Sequence, residues 1–184
     1  KYDIGASPLR EALSRLVSHG LVTSEGQKGF RVAPISEKDL RDITNTRKLL
    51  EHAALKESLK NGDRKWEQEL IIAYENLDKE HYELSNNFGE TVDAWEVAND
   101  QFHDTLVSRC TSEWILNFRK IIYDQATRYR RSLILNHQQE RRAHDDHSQM
   151  LEAALSYNIE WSCKLVDKHA DAQLANTLAE SQLL

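Results

Sequence analysis

Residues 92–110 read VDAWEVANDQFHDTLVSRC. Within them Val92, Trp95, Asn99, Phe102, His103 and Leu106 recur at the three-and-four spacing of one helical face. The stretch predicts an amphipathic helix with a mostly apolar buried side. Asn99 and His103, four residues apart, lie one turn above the other on that side. Polar groups on a face built for burial need partners there.

Two later segments repeat the arrangement. His147 shares a stripe with Met150, Leu151, Ala154 and Leu155, and His169 shares one with Trp161, Leu165 and Ala172. Asn158, a poor helix-interior residue at a change of phase, marks the break between them. His147 lies 11 residues before it and His169 lies 11 after it. At ~1.5 Å of rise per residue, each imidazole stands about 16 Å from the turn. In an antiparallel hairpin the two come out level. A single inward histidine is most often a core residue with one hydrogen bond. Three at matched depth, with an amide beside them, point instead to a divalent metal held by Asn99, His103, His147 and His169. The remaining histidines, His19, His52, His81, His137 and His144, read as surface or incidental. His144, one turn before His147, is the spare ligand among them.

Outward from these helices, the bulk numbers narrow the class. The chain has 184 residues, of which 29% are charged and 40% hydrophobic, a soluble globular balance. No apolar run is long enough to span a bilayer and no signal peptide opens the chain, so no membrane partner is expected. Cys110 and Cys163 cannot form a disulfide framework. A cytoplasmic protein with two buried free thiols is expected. All six glycines and both prolines fall before residue 90, which predicts an almost wholly helical remainder. The formal net charge is −6, but residues 1–34 hold five basic against three acidic side chains, a net +2, leaving −8 for the rest. Phosphate contacts are therefore expected from the N-terminal segment alone.

In chain order, Ser7-Pro8 opens a helix as N-cap and first helical residue. Leu9, Ala12, Leu13, Leu16 and Val17 form its stripe, and Gly20 ends it. Leu21–Thr23 and Phe30–Val32 read as strands joined by the loop Ser24–Gly29. A helix followed by a β-hairpin with a basic tip is the second half of a winged helix. Ser36 then caps a helix carrying Leu40, Ile43, Arg47, Leu50 and Ala54 as far as Asn61-Gly62. Asp63 caps the next, with Trp66, Leu70, Ala73 and Leu77 inward, and a later helix from Glu113 to Leu135 turns Ile115, Phe118, Ile122, Ala126 and Tyr129 inward. The expected fold is an all-α bundle of about six helices over residues 35–184, preceded over residues 1–34 by a partial winged helix-turn-helix.

The wording SPLREALSRLVSHGLV, followed by QKGFRVAPIS, resembles the recognition helix and wing of GntR-family transcription regulators. Pro8, Arg10, Glu11, Ala12 and Leu13 match the family wording, whereas Ala6 stands where many members carry an arginine. The helices that precede the recognition helix in that family are absent from the sequence, so a truncated form is expected. A GntR segment followed by six helices resembles the FadR branch, whose effector module is the FCD domain. Many members carry D-x-x-F-H on one helix and an inward histidine on each of two later ones. Asn99-Asp100-Gln101-Phe102-His103 matches with Asn in first place, and His147 and His169 match the later two. The N-terminal wording is also similar to a repressor of glutarate and γ-aminobutyrate catabolism.

That resemblance implies a homodimeric, cytoplasmic, DNA-binding regulator whose metal, often zinc or nickel, helps bind a small carboxylate effector. It places operator DNA against Ser7, Arg10, Lys28 and Gly29. Three neutral imidazoles and a neutral amide leave such an ion its full charge, which favours a carboxylate as the incoming partner. Arg47 supplies a fork for a second carboxylate, with an ion pair to Glu51 as the plainer alternative, and Arg130 and Tyr129 are further candidates. A dicarboxylate fits two cationic anchors better than a neutral sugar. The competing reading is a three-histidine zinc hydrolase. It lacks a base, because Asp100 and Asp146 both fall off the ligand face.

Overall fold

A computed structural model describes residues 5–26, 29–86, 91–131 and 137–180 of the chain. Helix α1 (Ala6–Ser18) leads into strands β1 (Val22–Ser24) and β2 (Phe30–Val32), and six helices follow. They are α2 (Glu37–Asn61), α3 (Arg64–Asn86), α4 (Val92–Leu106), α5 (Glu113–Arg131), α6 (His137–Leu155) and α7 (Ile159–Glu180). The bundle with its partial winged helix is the architecture expected from the sequence.

Local chemistry sets most of the boundaries. Gly20, at φ +72°, closes α1: its N–H bonds the Val17 carbonyl and the Leu21 N–H bonds that of Leu16. This pair of bonds needs a residue in the left-handed region, which glycine enters at no steric cost. The start of α1 differs from expectation. Gly5 is its N-cap, with no side-chain cap, and Ser7 lies inside the first turn. Pro8 is tolerated there because the first N–H groups of a helix have no partner within it. Ser36 accepts a hydrogen bond from the Asp39 N–H at 3.2 Å, and Asp63 accepts one from that of Trp66 at 2.7 Å. Asn158 acts as more than a breaker. Its side-chain oxygen accepts from the Trp161 N–H at 3.0 Å and so starts α7, just after Tyr157 turns the chain at φ 54°.

The hairpin pairs Val22 with Val32, Thr23 with Arg31 and Ser24 with Phe30. It is too small to cover a helical face. Consequently the α1 stripe is not buried, and Leu9 and Leu16 are 52% and 38% exposed. Inside the bundle α2 packs on α5 and α7, α3 on α4 and α6, and α6 on α7. Trp66, Leu70, Leu77, Phe102 and Leu55 are fully buried in one apolar cluster. Each such side chain contributes ~1.5–3 kcal/mol over an exposed one. Gly62 sits where a Cβ would come within 2.8 Å of the Tyr157 ring and 2.9 Å of Trp66, so this corner closes only around glycine.

Two expectations about the helices need correcting. Helix α4 stops at Leu106, and Val107–Cys110 continues as a turn closed by a Cys110 N–H bond to the Val107 carbonyl. Phe118 lies outside, 52% exposed and stacked on Trp114 at 5.8 Å. The inward position on that turn of α5 belongs to Arg119, which hydrophobicity alone would never place there. The end of the Glu113–Leu135 helix beyond Arg131 lies outside the described residues. Both Cys110 and Cys163 are buried free thiols, as expected. Among the described residues no helix is long and apolar enough to cross a membrane.

Candidate metal and effector site

Helix α4 delivers Asn99 and His103, α6 delivers His147 and α7 delivers His169. All four are at most 2% exposed. The α6–α7 hairpin brings its two histidines level, with ring centroids 4.8 Å apart. His103 completes the group at 5.2 Å from His147 and 5.4 Å from His169. One ligand nitrogen from each ring falls within 4.8 Å of the others, and the Nε2 atoms of His103 and His147 are 3.2 Å apart.

Burial favours the neutral form of His103 and His169, the form whose lone pair binds a metal. Burial, reinforced by the other two imidazoles and by Arg47 and Arg119, holds His103 well below its usual pKa. Burial also lowers His169, although Asp146 opposes it. The Asp146 carboxylate lies 3.7 Å from His169 Nδ1 and accepts from Lys168 at 2.7 Å. It stands behind the His169 ring, the place an outer carboxylate takes behind a metal-binding histidine. The remaining member of the set gives the test of fit. Asn99 Nδ2 donates to the Tyr123 hydroxyl at 2.9 Å, whereas Asn99 Oδ1 is buried with no hydrogen-bond partner among the described residues. A buried acceptor without a donor is costly. A cation beside it removes the cost, and three imidazoles plus one amide oxygen are a donor set that suits one.

Two buried arginines and a half-buried one surround the ring of Tyr123, with guanidinium carbons 4.7 Å (Arg47), 5.4 Å (Arg119) and 5.6 Å (Arg130) from its centroid. Arg119 donates to Glu51 at 3.0 Å, to Asp104 at 2.7 Å and to the His103 carbonyl at 2.9 Å. Arg130 grips both oxygens of Glu96 and lies 3.5 Å from Asp100. Against the pull of burial, Glu51 and Asp104 hold Arg119 above its usual value, and Tyr123 with Glu96 does the same for Arg130. Arg47 differs. Its acidic neighbour is Glu51 at 3.8 Å, which Arg119 already holds, and its Nε has no hydrogen-bond partner among the described residues. Burial pulls it below its usual value. The plainer ion pair with Glu51 therefore exists but leaves Arg47 under-compensated. Its Nη1 donates to Gln173 at 2.7 Å, and the Gln173 amide nitrogen reaches His169 Nε2 at 2.9 Å. The three histidines, Asn99 and Arg47 thus share one buried site.

Tyr129 is turned elsewhere. It packs with Leu40 and Ile43, donates to Asp39 at 2.6 Å and accepts from the Ser36 N–H at 3.1 Å. The inner tyrosine is Tyr123, six residues earlier. His81 is 5% exposed and accepts from Trp95 Nε1 at 3.1 Å, so it is a core residue and not a surface one. Its place one turn after Leu77 and before Leu84 was the available signal. Sequence reasoning also missed Glu51 as a shared acid, Arg119, Tyr123 and Gln173. The side chain of His144 lies outside the described residues.

At the other end, Ser7 and Arg10 are exposed on α1, and Arg10, Ser14, Ser24 and Gly29 line one shallow cleft between α1 and the hairpin. Lys28 lies outside the described residues. Helix α5 reaches this segment: Gln125 donates to the His19 carbonyl, and Arg128 donates to that of Ala33 at 3.2 Å.

Residues 42–172 match the family model of the FCD domain, and residues 1–32 match that of bacterial regulatory proteins of the gntR family. The chain is a GntR-family regulator with an FCD domain. Among its relatives is the HTH-type transcriptional repressor GlaR of Escherichia coli (strain K12), 32% identical over 92% of this chain and 78% of that protein. Another is the uncharacterized HTH-type transcriptional regulator BphR of Paraburkholderia xenovorans (strain LB400), 34% identical over 95% of this chain and 71% of that one. The structure of E. coli McbR/YncC shares the fold of this GntR-family regulator, with a TM-score of 0.81 at 18% identity over 96% of this chain and 81% of that one. The families and relatives matched are transcription regulators and not enzymes, so the hydrolase reading gives way. The geometry agrees: Asp100 is engaged with Arg130 and Lys120, and Asp146 stands behind His169.

Proposed function

We propose that this regulator is a cytoplasmic, homodimeric repressor that senses a small dicarboxylate through a metal centre and answers by changing its grip on operator DNA. Residues 1–34 form the DNA-binding part, with Ser7, Arg10, Lys28 and Gly29 at the operator, and residues 35–184 form the sensor. Asn99, His103, His147 and His169 hold a divalent ion, zinc or nickel. Bound there, the ion supplies positive charge and open coordination positions for one carboxylate.

The observation that carries this reading is Arg47. It is 4% exposed, has an Nε without a hydrogen-bond partner among the described residues, and shares its one near acid with Arg119. A buried arginine left short of negative charge is a site for an anion, and its planar fork suits a carboxylate. Arg130 is answered by Glu96, so it shapes the site more than it grips the effector. Tyr129 keeps only an indirect part through Asp39 and Ser36, near the DNA-binding segment. Repressor action is the reading that likeness to GlaR favours.

In calorimetric titration of the metal-loaded protein with glutarate, Arg47→Ala is expected to bind at least ~30-fold more weakly, the 2 kcal/mol or more that one charged hydrogen bond contributes. Binding equal to that of the unsubstituted protein would remove Arg47 from the effector site. A series of monocarboxylates and sugars that bind as tightly as glutarate would remove the dicarboxylate.

A further inference from the structure

An asparagine can serve a metal only through one end of its amide. The oxygen offers lone pairs, whereas the nitrogen carries two hydrogens and offers none to a cation. The two ends are nearly equal in size, and the torsion that exchanges them is broad and roughly two-fold. Packing alone therefore does not decide which end faces the imidazoles. A hydroxyl at the far end can meet either one, so a cation that draws Oδ1 inward and a hydroxyl that accepts from Nδ2 set the orientation together.

Such a hydroxyl is present. The Tyr123 hydroxyl, on α5, accepts from Asn99 Nδ2 at 2.9 Å, and both residues are essentially inaccessible, at 1% and 0% exposure. With the nitrogen so held, Oδ1 is the free end, and it has no hydrogen-bond partner among the described residues. The Tyr123 ring lies 5.7 Å from that of His103, so it borders the histidine group directly. Its face also carries Arg47 at 4.7 Å. We propose that Tyr123 is a positioning residue of the metal centre, whose hydroxyl locks the Asn99 amide with Oδ1 presented to the imidazoles while its ring seats Arg47. The proposal rests on the metal reading above.

An aspartate at position 99 needs no such lock, because its two oxygens are equivalent. Asn99 and Tyr123 thus work as a matched pair, and this gives the test. Zinc affinity of the full chain is measured by competition with a chromophoric chelator, and ligand geometry by the visible absorption of the cobalt(II) form. Both are read for the unsubstituted protein, Tyr123→Phe, Asn99→Asp and the double variant. Phenylalanine keeps the ring, so the seat of Arg47 is preserved. Tyr123→Phe is expected to weaken zinc binding by about 10-fold or more, the usual loss for a partner that orients a ligand, and to alter the cobalt spectrum. On the Asn99→Asp background the same change is expected to weaken zinc by less than about twofold, so the two substitutions are non-additive, as for residues that act through one another. An equal loss on both backgrounds would overturn the proposal, since a merely structural tyrosine acts alike on each. So would undiminished zinc binding by Tyr123→Phe. Failure of the unsubstituted protein to bind zinc or cobalt would overturn the metal reading together with it.

Discussion

Arg119→Ala is expected to destabilise the fold by roughly 3–5 kcal/mol, the cost of breaking a buried ion pair from one side. Arg119 is 3% exposed, and its guanidinium holds Glu51 at 3.0 Å, Asp104 at 2.7 Å and the His103 carbonyl at 2.9 Å. Alanine leaves Glu51, itself 2% exposed, with Arg47 at 3.8 Å as its nearest cation. A carboxylate so far from water cannot remain charged cheaply with so distant a partner. The loss is read from urea unfolding of the metal-free protein. A chain of this length loses about 2–4 °C of melting temperature per kcal/mol, so the effect is large by either method. Arg119→Lys is expected to recover only part of it, because one ammonium cannot reach three acceptors set around a planar fork. A change below ~1 kcal/mol for Arg119→Ala would contradict the buried ion pair.

His147→Ala is expected to abolish tight metal binding. His147 lies between the other two imidazoles, with centroids 4.8 Å and 5.2 Å away, and is 1% exposed. Removing a ligand costs more than removing an outer partner of one, for which 10–100-fold is usual, so a loss of about 100-fold or more is expected. The readout is the rise in melting temperature on adding zinc, which binding to the native state alone produces. It should vanish in His147→Ala and persist in His52→Ala, because His52 pairs with Asp167 of α7 at 2.9 Å and is not one of the three grouped histidines. Equal zinc-dependent stabilisation in both variants would place the metal elsewhere.

The three histidines were legible because helices convert spacing into height. His147 and His169 are equidistant from Asn158, and that residue proved to cap α7, so the levels agree. Caps at Ser36 and Asp63 and the glycine stop at Gly20 were equally plain, since each satisfies backbone groups a few residues away. Illegible features depend on which helix lies opposite. The inward stripe of α5 contains Arg119, and apolar periodicity passed it over in favour of Phe118, one position off. The approach of Glu51 from α2 and of Asp104 from α4 makes a buried arginine tolerable there. Tyr129 and Tyr123 look alike in sequence, yet one meets the Ser36 end of α2 and the other meets Asn99 on α4. Gln173 gains meaning from Arg47, 126 positions earlier.

Arg47 and the metal ligands carry the functional account jointly, so the most direct test treats them as one site. Glutarate is titrated calorimetrically into the full chain, first loaded with zinc and then stripped by a chelator and dialysed. Saturable binding to the loaded protein is expected, with a loss of at least ~100-fold in affinity after stripping, because one of two cationic anchors has gone. Equal affinity in the two states would contradict the shared site.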